Sequence, residues 1–439
     1  MSSQPGGQPV AQPVNWARNV VFGSKELRSP SSVAELQQIV RGSDRVRALG
    51  SAHSFNRIAD TTGVLVSTSS LPPLVEVLPD GTAVRVAGGV RYGELAQQLW
   101  AASYALRNLG SLPHISVAGA CSTGTHGSGN ANQSLAASVT ALDMVTADGG
   151  LARLERGSPD FAGAVVGLGS LGIVTTMELE IVPAFEVRQF VYEDLPFGRI
   201  VTHFDEIFSS GYSVSAFTDW RGDPGNNRVW QKQRIPEDSG DWPGDGTSGA
   251  ADGAAEWLGG RLADGPRNPV PGMAPDNATE QLGIPGPWQE RLPHFRLAFT
   301  PSSGEELQTE YLLPRELAGA AIEALAALGD RIAPVLQIGE IRTVAADDLW
   351  LSMASGRDSV AFHFTWIQDD AAVTPVVAAI EAALAPFAAR PHWGKVFGVA
   401  PETVAGLYPR WDDFAALLPR YDPAGKFRNE FIDRFFPSA

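Results

Sequence analysis

The sequence is nearly devoid of cysteine: Cys121 stands alone, so no intrachain disulfide can form and no multi-cysteine metal site can be built. A cytoplasmic location is expected on that ground. Histidine is also scarce, and none of the seven is paired at His-x-x-x-His spacing, so no metal centre is expected. Positive charge is in deficit, with 33 Lys+Arg against 49 Asp+Glu and a net charge of −16. Such a surface repels phosphate backbones and anionic lipid, which argues against nucleic acid and membrane as partners. Long apolar runs are missing as well. Nowhere do eighteen apolar residues follow one another, and the first thirteen residues, rich in Gly, Pro, Gln and Ser, hold no apolar h-region. Neither a membrane span nor a secretion signal is expected.

What is present is a chain of 439 residues, too long for one compact core, in which strand and helix patterns alternate irregularly. Asn15 to Phe22 reads as an opening strand, and Ser32-Val-Ala-Glu35 as a capping box that starts a helix through Val40. Across Arg47 to Asn56 an apolar strand pattern runs into Gly50 and a tight turn that presents His53. Gly110 to Gly129 is the densest small-residue stretch, and its glycines and hydroxyls supply close donors of the kind a pyrophosphate needs. Gly167-Leu-Gly169-Ser-Leu-Gly172 matches the dinucleotide fingerprint Gly-x-Gly-x-x-Gly, but helix precedes it and strand follows. That order is reversed from a nicotinamide-binding unit, which is therefore disfavoured. A change of texture near Ala184 marks a domain boundary, and Pro236 to Gly272 is a Pro/Gly/Asp-rich insertion.

Two later strands carry paired polar side chains. Alternation puts Glu340 and Arg342 on one face of theirs and His363 and Thr365 on one face of the other, with Ile341, Phe362, Phe364 and Trp366 opposite. Four polar groups can converge there. Lys395 is a lone charge in the aromatic stretch Pro-His-Trp-Gly-Lys-Val-Phe. Each feature alone has a plain alternative: a turn histidine, a linker, a solvated strand face, a snorkelling lysine.

Taken in order, Gly50-Ser-Ala-His53-Ser, Gly110-Ser-Leu-Pro-His-Ile-Ser, Gly124-Thr-His-Gly-Ser-Gly129, Gly169-Ser-Leu-Gly-Ile-Val and Asp422-Pro-Ala-Gly-Lys-Phe resemble the vanillyl-alcohol-oxidase type of FAD-linked oxidases. Glu340-Ile-Arg-Thr-Val, His363-Phe-Thr-Trp and Arg390-Pro-His-Trp-Gly-Lys395 are similar to its alditol oxidase branch. The resemblance implies an α+β fold: a two-lobed FAD-binding domain of the vanillyl-alcohol-oxidase/p-cresol-methylhydroxylase type, with a substrate (cap) domain of antiparallel sheet backed by helices. The boundaries expected are 1–184 for the FAD-binding domain, 185–396 for the cap and 397–439 for a C-terminal return to the first domain. FAD is expected to be bound covalently through His53, with Gly50, Ser51, Ala52, Ser54, Ser111, Ser116, Gly119, Ser122, Thr123, Gly124, Gly127, Gly172, Ile173 and Val174 around it. Cys121 lies outside the position that a second flavin link needs, so one bond is expected and Cys121 is read as a packing residue.

By the same resemblance Ser111, Glu340, Arg342, Thr365 and Lys395 bind a polyol such as xylitol or sorbitol, and His363 lies beside the reacting carbinol. Glu340, Arg342, His363 and Lys395 form the catalytic set, and Gly110 sits at the family's oxygen gate. The chemistry agrees with these residue types: cations suit a developing alkoxide, a histidine suits a proton acceptor, and the remaining groups suit hydroxyl recognition. The partners implied are a small polyol and O2, with hydrogen peroxide as co-product, acting on a monomer. Two alternatives stay open here: a sugar-lactone oxidase or dehydrogenase of the same superfamily, and a polyol-binding protein that has lost its flavin.

Overall fold

The computed structural model describes residues 12–24, 26–235, 253–299 and 305–437. Residues 236–252 of the insertion lie outside the described residues. Near the N-terminus the expected strand is replaced by a reversal of the chain. Asn15 caps it internally, its side chain accepting from the Val20 amide at 2.9 Å, and Arg18 takes a left-handed φ of 60°, so only the single bridge Val14–Val21 forms.

The first lobe begins with the helix Val33–Gly42, whose Ser32 hydroxyl accepts from the Glu35 amide as the capping pattern predicts. The Glu35 carboxylate reaches back one residue further than the box requires, to Ser31. Leu36 and Val40 are buried on the helix face that meets Val46, Val66, Val145 and Ile173. Beneath it, the strands Glu26–Arg28, Val64–Ser67 and Val46–Leu49 form a three-stranded parallel sheet in that order. A five-stranded antiparallel sheet follows, ordered Val75–Val77, Ala83–Ala87, Ile173–Glu180, Val139–Val145, Leu151–Glu155. The C-terminal helices Pro401–Gly406, Trp411–Tyr421 and Glu430–Phe435 bury Val404, Phe414, Leu417 and Phe435 in the same core as Val84, Leu95 and Met177. The Val46 amide donates to the Lys426 carbonyl at 2.9 Å, and the buried Arg47 guanidinium donates to the carbonyls of Leu168, Gly169 and Phe427. The strand leading to His53 is thereby fastened to both the glycine turn and the chain's far end.

The other half is a ten-stranded antiparallel sheet. Its centre runs Glu186–Glu193, Arg228–Ile235, Ser213–Thr218, Leu336–Val344, Ser359–Ile367, Glu306–Pro314. Glu256–Trp257 and Gly260–Leu262, from the end of the insertion, extend one edge. Helices Ala318–Ala326 and Asp370–Leu384 cover one face, where Ile341, Phe362, Phe364, Trp366, Ile322, Leu325 and Ile380 are buried together. Full burial of each large apolar side chain contributes about 1.5–3 kcal/mol, which pins the register so that the polar residues face the other way. The stretch Asp370–Phe387 is long and apolar enough to cross a membrane by composition. Here its Val373, Val377, Ile380 and Leu384 pack on the sheet instead.

Candidate active site

Strand register assembles a polar wall. Glu340 pairs with His363 on the next strand, and His363 with Glu310 on the one after, so three polar side chains stand in a row on the face away from the helices. Arg342, Thr365 and Gln308 flank that row, and all six line a cleft of about 440 Å³ between the sheet and the first lobe. Ser111 and Lys395 come from loops and complete the wall. All six residues that the sequence placed in the catalytic and substrate sets therefore meet at one cleft.

The electrostatics are tightly coupled. Arg342 donates through Nη2 to Glu310 and through Nη1 to Ser111 Oγ at 3.4 Å. Burial pushes the Glu340 and Glu310 carboxyls up, but Arg342 and neighbouring histidines outweigh it and hold both below the ordinary carboxylate range. Burial works against the Arg342 cation and the two carboxylates more than restore it. His363 sits with Nδ1 at 3.5 Å from Glu310 Oε2 and Nε2 at 3.3 Å from Thr365 Oγ1, and burial pulls its pKa down in spite of Glu310. That burial favours the neutral ring over the imidazolium. Lys395 donates to Gln308 and lies 4.9 Å over the Phe55 ring; burial lowers its pKa to about 8, opposed by Glu310 and reinforced by Arg342.

At the other end of the cleft the turn after Val46–Leu49 brings Gly50 against Ser116, where a Cβ would come within 2.4 Å of Ser116 Oγ. Ala52 adopts a left-handed φ of 58° and turns His53 onto Trp16, the rings stacked at 5.2 Å. His53 Nδ1 and Ser116 Oγ are both buried with no hydrogen-bond partner among the described residues. Burial depresses the His53 pKa to about 4. Gly50, Ser51, Ala52, Ser54, Gly119, Ser122, Thr123, Gly172 and Val174 line the same cleft, as does Gly110, where an added Cβ meets nothing closer than 3.6 Å.

Three of the expected cofactor residues are not on the cleft wall. Gly124 faces Met353, Gly127 is pressed against Asn108 and the Leu109 carbonyl, and Ile173 is buried in the first lobe's small core. The small-residue stretch is not one open cradle, because Val117–Ser122 coils into a short helix and only its near side reaches the cleft. Sequence reasoning also missed Glu310, Gln308, His126, His294 and His392, which all line the cleft. Glu306-Leu-Gln308-Thr-Glu310 shows the same alternation that identified the other two strands. His126 lay within a quoted glycine motif, and its Nε2 is 3.3 Å from Glu310. His294, in a loop, carried no local signal.

Comparison with known proteins agrees with this geometry. A family model described as "FAD binding domain" matches residues 25–155, and one for D-arabinono-1,4-lactone oxidase matches residues 304–435. An alditol oxidase of Streptomyces sp. (strain IKD472 / FERM P-14339) is 48% identical over 421 residues, covering 95% of this chain and 97% of that protein. An L-gulono-1,4-lactone dehydrogenase of Mycobacterium tuberculosis is 29% identical over 96% of this chain and 98% of its own length, and an L-gulonolactone oxidase of Bos taurus 24% identical over 96% and 97%. Among solved structures, cholesterol oxidase from B. sterolicum superposes with a TM-score of 0.75 at 16% identity, covering 99% of this chain and 100% of that one, which speaks to the fold alone. With a full-length relative at 48% identity and an FAD-binding domain in place, the chain belongs to the alditol oxidase branch of the vanillyl-alcohol-oxidase type FAD-linked oxidases.

Proposed function

We propose that the protein oxidises the terminal primary hydroxyl of a polyol such as xylitol or sorbitol to the aldose, with O2 reduced to H2O2. The observation that carries this reading is the buried row Glu340, His363 and Glu310 with Arg342 and Thr365 beside it, completed by Ser111 and Lys395 in one cleft. Buried acceptors and cations interleaved on one wall suit a substrate bearing several adjacent hydroxyls. The test is peroxide formation across polyols, sugar lactones and simple alcohols, with polyols expected to lead; preference for a lactone would favour the superfamily's other chemistry.

The cleft fits a flavin. Two buried polar atoms lack partners at its first-lobe end, and glycines 50 and 119 abut Ser116 so closely that only backbone is tolerated. We assign Gly50, Ser51, Ala52, Ser54, Ser116, Gly119, Ser122, Thr123, Gly172 and Val174 to FAD and His53 to its covalent link. A neutral ring with an uncommitted nitrogen supports that link. Cys121 supports none, since it is fully buried against Tyr92 and burial pushes its thiol up to about 12. Held there, FAD would supply the two-electron acceptor that side chains lack. The protein's own work is to bind and orient the polyol through Glu340, Ser111 and Thr365, to receive the hydroxyl proton at His363, and to oppose the developing alkoxide charge with Arg342 and Lys395. Residues 1–184 and 397–439 would then form the flavin-binding domain, from which Ser111 reaches the substrate, and 185–396 the cap.

A further inference from the structure

Behind the substrate wall lies a chain of buried groups that the reaction as described does not use. Lys232, on the strand Arg228–Ile235, is 2% exposed and donates to the Leu292 carbonyl, to the Pro293 carbonyl at 3.4 Å and to His294 Nδ1 at 3.3 Å. His294 Nε2 stands 2.9 Å from Glu340 Oε1. The imidazole is flanked by Phe217 and Trp230, each with its ring centre 5.3 Å away in an edge-to-face arrangement. Its backbone is engaged too: the amides of His294 and Phe295 donate to the Ser111 carbonyl at 3.1 and 3.3 Å.

Burial lowers the Lys232 pKa to about 7 against the pull of Glu340, and with Lys232 protonated these contacts admit one arrangement of protons. A carboxylate at Nε2 requires a proton there, and an ammonium at Nδ1 requires a lone pair there. An imidazolium would set an N–H against the lysine, and the opposite tautomer would set a lone pair against Glu340. Burial and Lys232 lower the His294 pKa to about 4, in keeping with a neutral ring.

We infer that Lys232 and His294 are positioning residues for polyol recognition: Lys232 holds His294 in its Nε2–H tautomer, and His294 occupies Glu340 Oε1 so that Glu340 Oε2 is presented as a bare acceptor for a substrate hydroxyl. Among the described residues no side chain donates to Oε2. A substrate without a hydroxyl at that point leaves this acceptor unpaired, and through its amides the same segment places Ser111. The inference rests on the reading of Glu340 as a polyol contact.

The test uses the full-length, flavin-loaded enzyme and two readouts. In steady-state kinetics, His294→Leu and Lys232→Met should each raise KM for xylitol more than they lower kcat. Each should also cut the preference for 1,2-propanediol over 1-propanol by about tenfold, with the flavin spectrum unchanged. His294→Gln, whose amide N–H can replace the ring donor, should recover most of that preference. Nitrogen NMR of histidine-labelled enzyme should report the Nε2–H tautomer for His294, and it decides the matter even if His294→Leu fails to fold. A preference kept within twofold in both variants, or an Nδ1–H tautomer, would overturn the inference. Glu340→Gln serves as the reference. If it loses the preference while the other two keep it, the positioning chain alone is wrong; if it too keeps the preference, the polyol role of Glu340 falls and the inference with it.

Discussion

At the scale of single residues the site is a set of charges that oppose one another's burial. Arg342 sits between Glu310 and Glu340, and removing its guanidinium takes away the cation the two buried carboxylates share as well as depriving the alkoxide of a counter-charge. Arg342→Ala is therefore expected to lower turnover on xylitol by about a hundredfold or more with the flavin retained, measured by rapid-mixing reduction of the flavin. His53 carries a different expectation. Acid precipitation of the unmodified enzyme should carry the yellow chromophore down with the protein, and His53→Ala should release it to the supernatant while circular dichroism stays native. These residues were legible in the sequence because each stood inside a motif or a strict alternation. Glu310 was equally legible by alternation and was passed over because no motif drew attention to Glu306–Pro314, whereas Lys232 and His294 meet Glu340 only through the fold and no local pattern could have found them.

At the scale of elements, what matters is which face of a strand or turn is filled. The sheet's apolar face is packed by Ala318–Ala326 and Asp370–Leu384, so a one-residue slip would bury Glu340 and Arg342 among Phe362 and Trp366; this is why two short alternating patterns were enough to place these polar residues on one face. The fingerprint at Gly167–Gly172 has the reversed order expected of it, following the short helical turn Phe161–Ala164 and opening the antiparallel strand Ile173–Glu180. The small-residue stretch was harder, because glycine and serine content does not distinguish an open loop from a short helix held by its neighbours. Gly110, in that stretch, has room for a small side chain on the cleft wall. Gly110→Val is expected to slow reoxidation of the reduced enzyme by O2 more than its reduction by polyol. Equal slowing of both half-reactions would point to general distortion of the wall instead.

At the scale of the whole molecule, the site lies where two lobes meet the end of the insertion and the segment after it, with Pro269, Val270 and Phe295 on the cleft wall. No sequence pattern predicted that Pro269 and Val270, in an insertion without periodicity, would line it. Burying so many titratable groups also sets the pH response of the fold. His294 is depressed to about 4, and burial likewise lowers His363 and His392 from the ordinary 6.5. As pH falls below 6.5 the unfolded chain takes up protons that the folded one refuses, so stability declines, by about 3 kcal/mol for His294 alone once pH reaches 4. Glu310 and Glu340, held ionised, add to the loss below about pH 4.5. The melting temperature should fall steadily from pH 7 to 4.5, and less steeply in His294→Gln; a flat profile would contradict the assignment of neutral buried histidines.

On the proposed function, this cleft recognises a run of hydroxyls. The most direct measurement is the anaerobic rate of flavin reduction by 1-propanol, 1,2-propanediol, glycerol and xylitol at equal concentration. Each hydroxyl that finds a buried partner is worth about 1–3 kcal/mol, so the rate should climb along the series, with 1-propanol slower than 1,2-propanediol by roughly one to two orders of magnitude and xylitol fastest. Comparable rates for all four would contradict the assignment of Glu340, Ser111 and Thr365 to the substrate and the polyol activity built on it.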